Sequence, residues 1–152
     1  MKILNAEVDD LEEILELQKL SFISEALIHD DFNIKPLHQT MEEIIHDFNT
    51  GVILKINDPN SNKIIGSVRG YKKDEKFLIE KLFVHPDYQN KGIAKKLLQE
   101  IENLSGSKVF ELYTSHKSIK NLNLYRKLGY LKFKVEKVHD EFYFIHLRKI
   151  IQ

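Results

Sequence analysis

The sequence predicts a mixed α/β domain in which about four helices pack on a central sheet of six to seven strands. Apolar residues recur first at extended and then at helical spacing, in the order strand, two helices, three strands, helix, strand, helix and two strands. The mixture of consecutive strands and strand–helix–strand units implies a mixed sheet with helices packed on it. No repeat or linker interrupts the chain, so we expect one domain over residues 1–152.

The N-terminal part begins with a short strand candidate, Lys2–Ala6, followed by a helix whose first turn is acidic. The segment His29–Gln39 then breaks the helical pattern, and a second amphipathic helix ends at Gly51. Three strands follow, the first two joined by a turn-rich segment. The apolar helix positions are Leu11, Ile14, Leu15, Leu17 and Leu20, then Met41, Ile44, Ile45 and Phe48, and the strands are Val52–Ile56, Ile64–Tyr71 and Phe77–Val84.

The C-terminal part contains the clearest helix, which carries one apolar stripe from Ile93 to Leu104 opposite lysine, glutamine and glutamate side chains. A second helix has Ser118 as a plausible N-cap and Gly129 as a left-handed stop. Strands precede and follow this second helix. The remaining elements are the strand Val109–Thr114, the helix Ile119–Leu128 and the strands Leu131–Val138 and Phe142–Leu147.

The composition excludes several kinds of site. The 23 basic and 23 acidic residues balance, which argues against nucleic-acid or membrane-surface partners bound by bulk charge. The absence of cysteine excludes disulfides and thiolate chemistry, and the seven histidines show no zinc-ligand spacing, so we expect no metal. The N-terminus lacks the apolar core of a signal peptide, and no apolar run reaches the roughly 20 residues of a membrane helix. We therefore predict a cytoplasmic protein.

The segment from Leu82 to Ala94 carries the strongest functional signal. It reads as a buried strand, a stop at Pro86, a polar loop and the start of a helix. The first-turn N–H groups of a helix lack internal partners and favour anions. Gly92 allows an anion close to the backbone, and Lys91 adds a positive charge. The segment predicts a phosphate or pyrophosphate site, the alternative being an ordinary strand–loop–helix connection.

The same segment resembles the acyl-CoA signature of the GNAT superfamily of N-acetyltransferases. That signature is a strand ending in Val-x-Pro, followed by Gln/Arg-x-x-Gly-x-Gly/Ala, and Gln89, Gly92 and Ala94 occupy its three positions. The resemblance covers the order of elements along nearly the whole chain. It implies a mostly antiparallel sheet and acetyl-CoA as cosubstrate.

A second motif of that superfamily is a helix ending in Tyr-x-x-x-Gly-Phe/Tyr, which the run from Tyr125 to Tyr130 matches. On this resemblance Tyr125 lies near the thioester sulfur and acts as general acid, although periodicity alone also fits a half-buried core residue. Many members carry Asn and Ala seven and four positions before the tyrosine, where this chain has Ser118 and Asn121. Asn121 is then the candidate to replace the missing asparagine contact.

The resemblance also implies which residues bind the cofactor. The backbone of one strand would pair with the pantetheine arm, as an added strand does. The loop and helix start would hold the pyrophosphate. The strand residues are Leu82, Phe83 and Val84, and the loop and helix residues are Gln89, Asn90, Lys91, Gly92, Ile93 and Ala94.

The implied reaction is direct attack of a primary amine on acetyl-CoA, which requires loss of an amine proton because an alkylamine has a pKa of about 10.4. Glu80 and Glu111 are candidate bases, since each interrupts an apolar run. A carboxylate facing a dry cleft has a raised pKa suited to this role. Solvent-facing orientations, and deprotonation through water without a dedicated base, are the alternatives.

The acceptor is not defined by the sequence. Asp30 and Asp31 suit an amine, whereas Arg69, in a strand with Tyr71, suits a carboxylate. A small molecule, an amino acid and a peptide amine therefore all fit. Two other functions also use the signature segment: a non-catalytic acyl-CoA-binding or sensing module, and a nucleotide-phosphate-binding regulator, which lacks its usual glycine-rich loop here. The aromatic last strands allow a homodimer.

Overall fold

Seven strands form one sheet in the order β1-β2-β3-β4-β5-β7-β6 in a computed structural model, which describes residues 1–152 except the side chain of residue 29. Neighbouring strands are antiparallel except β4 and β5, which are parallel, so the predicted mixed, mostly antiparallel sheet is confirmed. The strands are β1 Ile3–Asn5, β2 Val52–Asn57, β3 Ile64–Lys73, β4 Lys76–Val84, β5 Val109–Ser115, β6 Leu131–His139 and β7 Phe142–Ile150.

Five helices cover the two faces of the sheet. The residues described form two buried apolar clusters, one containing Leu97 and Tyr125 beneath α4 and α5, the other containing Ile14 and Ile44 beneath α1 and α3. Helices therefore lie on opposite faces, and the sheet is buried between them. The helices are α1 Leu11–His29, α2 Lys35–His38, α3 Met41–Thr50, α4 Ile93–Ser105 and α5 Ile119–Lys127, with single 3₁₀ turns at Val8–Asp10 and Pro86–Tyr88.

Helix α1 changes character along its inner face. Its first half buries leucine and isoleucine as predicted, but Leu20 is 45% exposed. Polar side chains then share the inward positions with apolar ones: Gln18 and Ser21 are buried and Glu25 is partly buried, beside the fully buried Ala26. The helical period continues, but the buried stripe becomes partly polar.

Two local predictions change in the structure, and one helix start was not predicted. The predicted break over His29–Gln39 contains the short helix α2, with Pro36 in its first turn, where proline is tolerated; the side chain of His29 lies outside the described residues. A capping box at Thr40, not predicted, starts α3. Ser118 precedes α5, but its hydroxyl makes no cap hydrogen bond. The left-handed stop at Gly129 is confirmed, with a φ of 97°.

The sheet parts between β4 and β5. These parallel strands pair only through Phe77 with Phe110 and Leu78 with Glu111. Beyond that point β4 bulges against β3, and Lys81 adopts a φ of 52°. The edge of β4 from residue 79 to residue 84 therefore faces a gap, and polar backbone groups along such an edge seek new partners.

One outer edge of the sheet is formed by β6. All residues of this strand are exposed, and Leu131 is 71% exposed. This is the edge at which a homodimer would pair, which stays a prediction. In the described part of the chain, no helix is both long and apolar enough to span a membrane.

Candidate functional site

Two cavities open into the gap between β4 and β5. The first, called the sheet cavity, has a volume of about 520 Å³ and reaches from β4 and β5 to β7; Glu80, Tyr113, Tyr125 and Phe144 are among its lining residues. The second, called the loop cavity, has a volume of about 460 Å³ and reaches the start of α4 at Gly92. Both sizes suit small-molecule ligands. The residues lining both cavities are Phe22, Glu25, Leu82 and Asn121.

The loop cavity ends at the N-terminus of α4, a helix of 13 residues without a side-chain cap. Asn90 and Gly92 have φ values of 64° and 78°, so the loop turns its amides toward one side. A Cβ built on Gly92 would meet no atom within 4 Å, which leaves open space at the helix start. A backbone of this form at an uncapped helix start suits an anion.

The cations beside this anion site differ from the one expected. The Lys91 ammonium lies over the Tyr88 ring, 5.4 Å from its centroid, and Lys91 is not among the residues lining the loop cavity. Lys95 and Lys120 do line it. Gln89 donates to the Val84 carbonyl over 3.3 Å and accepts from Lys120 over 3.4 Å, so its side chain ties the loop to β4. Sequence reasoning missed Lys120 because it lies on α5, 31 residues away.

The other predicted cofactor residues also border the gap. Leu82, Phe83, Val84, Ile93 and Ala94 line the loop cavity, although the side chains of Phe83, Val84 and Ile93 are buried in the core, leaving mainly backbone for a ligand. The unpaired edge of β4 offers the hydrogen bonds of an added strand.

Tyr125 projects from α5 into the sheet cavity. Its side chain is 6% exposed and belongs to the apolar cluster beneath α4 and α5. Burial, and then the nearby charge of Glu25, raise the pKa of the Tyr125 phenol well above its usual value. The phenol therefore keeps its proton at neutral pH.

Glu25 of α1 is a site residue that the sequence analysis missed. It lines both cavities, and its carboxylate accepts from the Ser118 hydroxyl at 2.7 and 2.9 Å and from the Asn121 amide at 3.5 Å. Asn121 also donates to the Thr114 hydroxyl over 3.4 Å. The sequence signal was available, because Glu25 lies seven residues after Gln18 on the same helical face.

The two candidate bases lie in different surroundings. Glu80 lines the sheet cavity, and its carboxylate lies 3.9 Å from the Lys81 ammonium. Glu111 lies at the closed end of the gap and lines neither cavity; it accepts from Arg148 at 2.8 Å and from Lys76 at 3.3 Å. Burial alone raises the pKa of Glu111, but these two cations outweigh it and hold the pKa below its usual value. This corrects the expectation that Glu111 suits the role of base.

Arg69 does not face either cavity. Its side chain is 2% exposed, and its guanidinium donates to Gln39 at 2.8 Å, to Asp47 at 3.0 Å and to Gln18. Gln18 also donates to the Pro36 carbonyl over 2.9 Å. The network joins β3, α1, α3 and the segment before α3. Arg69 therefore holds these elements together, and its guanidinium does not reach an acceptor in either cavity.

The structure also shows the surroundings of His85 and of the other possible metal ligands. His85 accepts from the Asp87 amide over 3.0 Å and thereby caps the 3₁₀ turn after β4. Among the side chains that the structure describes, no group of three His, Asp or Glu residues could hold a metal ion.

Comparison with known families agrees with a fold and site of the acyltransferase class. The family model for the GNAT acetyltransferase domain matches residues 49–132, more than half of the chain, from the end of α3 to the start of β6. The chain belongs to the GNAT acetyltransferase family. The predicted resemblance is confirmed, and with it acetyl transfer as the general activity.

Solved structures share the fold over almost the whole chain. The PaiA N-acetyltransferase from Thermoplasma acidophilum, in complex with coenzyme A, is 19% identical with a TM-score of 0.76 and 99% of each chain covered. The ribosomal-protein-S18-alanine N-acetyltransferase from Escherichia coli is 14% identical with a TM-score of 0.80, covering 99% of this chain and 94% of that one. A GNAT acetyltransferase from Elizabethkingia anophelis with bound acetyl-CoA is 23% identical with a TM-score of 0.64, covering 74% and 84%. No curated protein matches the sequence significantly.

The ion pairs of Glu111 give its substitution a defined pH dependence. Because its pKa is lowered in the folded state, its stabilising contribution is complete above the unfolded value of about 4.3 and is lost as pH falls through the folded value. Glu111→Gln should lower the free energy of unfolding by roughly 1–2 kcal/mol at pH 7 and by clearly less at about pH 3, which is below the unfolded value. Urea denaturation at both pH values measures this. Glu100→Gln, on the exposed face of α4, is the control, and an effect of Glu111→Gln that is equal at both pH values would contradict the assignment.

Proposed function

We propose that this protein is an N-acetyltransferase that moves the acetyl group of acetyl-CoA to a primary amine of a small molecule, amino acid or peptide. The observation that carries the proposal is the meeting of the two cavities at the gap between β4 and β5. One cavity ends in an anion site, and the other contains a carboxylate and a protonated phenol, Glu80 and Tyr125. The cavity proposed to bind the cofactor and the cavity proposed for acetyl transfer therefore adjoin each other.

The binding half of the proposal rests on the loop cavity. The amides near Gly92, with Lys95 and Lys120 beside them, suit the pyrophosphate. The free edge of β4 suits the amides of the pantetheine arm. Leu82 and Asn121 line both cavities. A pantetheine arm that runs past these two residues would bring the thioester into the sheet cavity.

The chemical half begins with the amine. An alkylammonium must lose a proton before its nitrogen can attack the thioester carbonyl. Glu80 is the proposed acceptor of that proton, because it lines the sheet cavity. The nitrogen–carbon bond forms as the carbonyl becomes a tetrahedral oxyanion, which a backbone N–H along the β4 edge is placed to stabilise.

Tyr125 is the proposed acid for the departing thiolate. As the carbon–sulfur bond breaks, the sulfur takes the electron pair and the Tyr125 phenol supplies a proton. The second proton of the attacking nitrogen, which leaves as the amide forms, restores the phenol. Burial raises the pKa of the phenol, so Tyr125 holds its proton until the sulfur takes the electron pair. The alternative, a non-catalytic acyl-CoA-binding or sensing module, needs the loop cavity but gives no role to Glu80 and Tyr125.

Substitution of Gly92 tests the cofactor site. Gly92→Glu should abolish acetyl-CoA binding, because its carboxylate would occupy the open space at the helix start and repel the pyrophosphate. Isothermal titration calorimetry measures the affinity. Gly106→Glu is a matched control, since Gly106 ends the same helix with a φ of 66° and equally open space. Equal loss of binding in both variants would mean that backbone strain, not anion repulsion, is responsible.

Substitution of Tyr125 tests the acid. Tyr125→Phe should lower kcat by roughly 100-fold or more while changing the KM for acetyl-CoA little, because only proton donation is lost. Steady-state release of coenzyme A gives both constants. Tyr130→Phe is the control: its ring lies 6.0 Å from that of Tyr125, but its hydroxyl donates to Glu102. An unchanged kcat in Tyr125→Phe would remove this role.

A pair of carboxylate variants tests the base. Glu80→Gln should lower kcat/KM by roughly 10- to 1000-fold and remove the rise of rate with pH on the acidic side, because the group that accepts the amine proton is gone. Glu111→Gln should keep the wild-type pH profile. Initial rates measured between pH 5.5 and 9.5 compare them. Equal profiles for both variants would instead support deprotonation through water.

A further inference from the structure

The sheet cavity has a continuous aromatic wall. Tyr113 of β5 and Phe144 of β7 have ring centroids 4.7 Å apart, and Phe142 follows at 5.2 Å from Phe144. The His139 ring stacks on Phe142, also at 5.2 Å. All four rings line the sheet cavity. A surface of this kind binds a flat apolar group by burial and by ring–ring contact.

The charges that line the same cavity are mainly negative. Four carboxylates, those of Glu25, Asp31, Glu80 and Glu136, line it against two lysines. Each of these carboxylates has a neighbour: Glu80 lies 3.9 Å from the Lys81 ammonium, Glu136 lies 2.8 Å from His146 Nε2, Asp31 lies 3.9 Å from His139 Nε2, and Glu25 accepts from Ser118. The second lysine, Lys35, is exposed. This surplus of carboxylates attracts an ammonium group and disfavours a carboxylate on the incoming molecule.

No arginine of the chain is among the described residues that line the sheet cavity. A carboxylate is best held by the two-pronged guanidinium of arginine, and the chain has three: Arg69, Arg126 and Arg148. Arg69 is enclosed in its own network, and Arg148 is paired with Glu111 and lies over the Phe133 ring. Of the two acceptor types suggested by the sequence, the amine without a carboxylate is therefore favoured.

We infer that the acceptor is a small primary amine attached to an aromatic body and lacking a carboxylate, with its ring against the aromatic wall and its nitrogen toward Glu80. Glu80 of β4 and Tyr113 of β5 both line the sheet cavity, so the carboxylate and the aromatic wall border the same space. The inference rests on the proposed acetyl transfer and narrows its acceptor. Phe144 and the acidic lining are then its specificity determinants.

Three probe amines test the inference on the full chain with saturating acetyl-CoA. 2-Phenylethylamine carries the ring and no carboxylate, L-phenylalanine adds only the carboxylate, and n-butylamine lacks the ring. The value of kcat/KM should be at least about tenfold higher for 2-phenylethylamine than for either of the others. A preference for L-phenylalanine or n-butylamine, or equal values for all three, overturns the inference.

Two substitutions that each remove one aromatic ring test whether the aromatic wall causes the preference for 2-phenylethylamine. Phe144→Ala should lower kcat/KM for 2-phenylethylamine about tenfold more than it lowers kcat/KM for n-butylamine. Phe133→Ala removes a ring from the same sheet outside the cavity and should change neither. Equal losses on both amines in Phe144→Ala would overturn the assignment of the wall.

Calorimetry separates failure of the inference from failure of the proposed function. With coenzyme A present, 2-phenylethylamine should bind to the wild type and more weakly to Phe144→Ala. If acetyl-CoA binds but no probe amine is bound or acetylated, the inference about the acceptor is overturned. If acetyl-CoA itself does not bind, the proposed function fails first and the inference fails with it.

Discussion

The parting of β4 from β5 is the constraint on which both cavities depend. Two residues of each strand pair and then the strands separate, which leaves a row of backbone groups facing the gap. The closed end is held by the buried rings of Phe77 and Phe110, 6.4 Å apart, and by the ion pairs of Glu111 with Lys76 and Arg148. Beyond it the bulge at Lys81 turns β4 away. A regularly paired sheet would have used these backbone groups internally and would have had no room for a ligand.

Helix α1 is held across this gap by polar contacts at two places. Gln18 joins it to the buried Arg69 network, and Glu25 joins it to Ser118 at the start of α5. A buried guanidinium is unfavourable without partners, so the network forms only when α1, β3 and the segment before α3 are correctly placed. The network therefore fixes the position of α1, which borders the sheet cavity, relative to β3 in the central sheet. Substituting hydrophobic residues there could preserve stability but would not fix this geometry.

The cofactor and acceptor sides differ in how they could be predicted. Val84, Gln89 and Gly92 lie in one short segment with a local physical logic, so their position at an anion site followed from the sequence. Glu25, Lys120 and Phe144 come from three distant elements, and nothing local to them indicates a shared cavity. Ser118 shows the same limit, since its type and position fit an N-cap but the nearby Glu25 carboxylate takes its hydroxyl instead. Several residues assigned to the acceptor side, including Glu25, Asp31 and Phe144, also lie outside the part of the chain matched by the family model.

The sequence by itself determined the order and type of the main elements, the mixed sheet, the helix start at Gly92 and the family. These follow from period, turn residues and a contiguous motif, all of which act over a few neighbouring residues. Only the tertiary structure showed that Glu80 lines a cavity whereas Glu111 is held in ion pairs, that Arg69 is buried in a hydrogen-bond network, and that Glu25 lies where the cavities meet. Strand residues with the same local pattern can face a cleft, an ion pair or the core, and the packing of distant elements determines which of these surrounds each side chain.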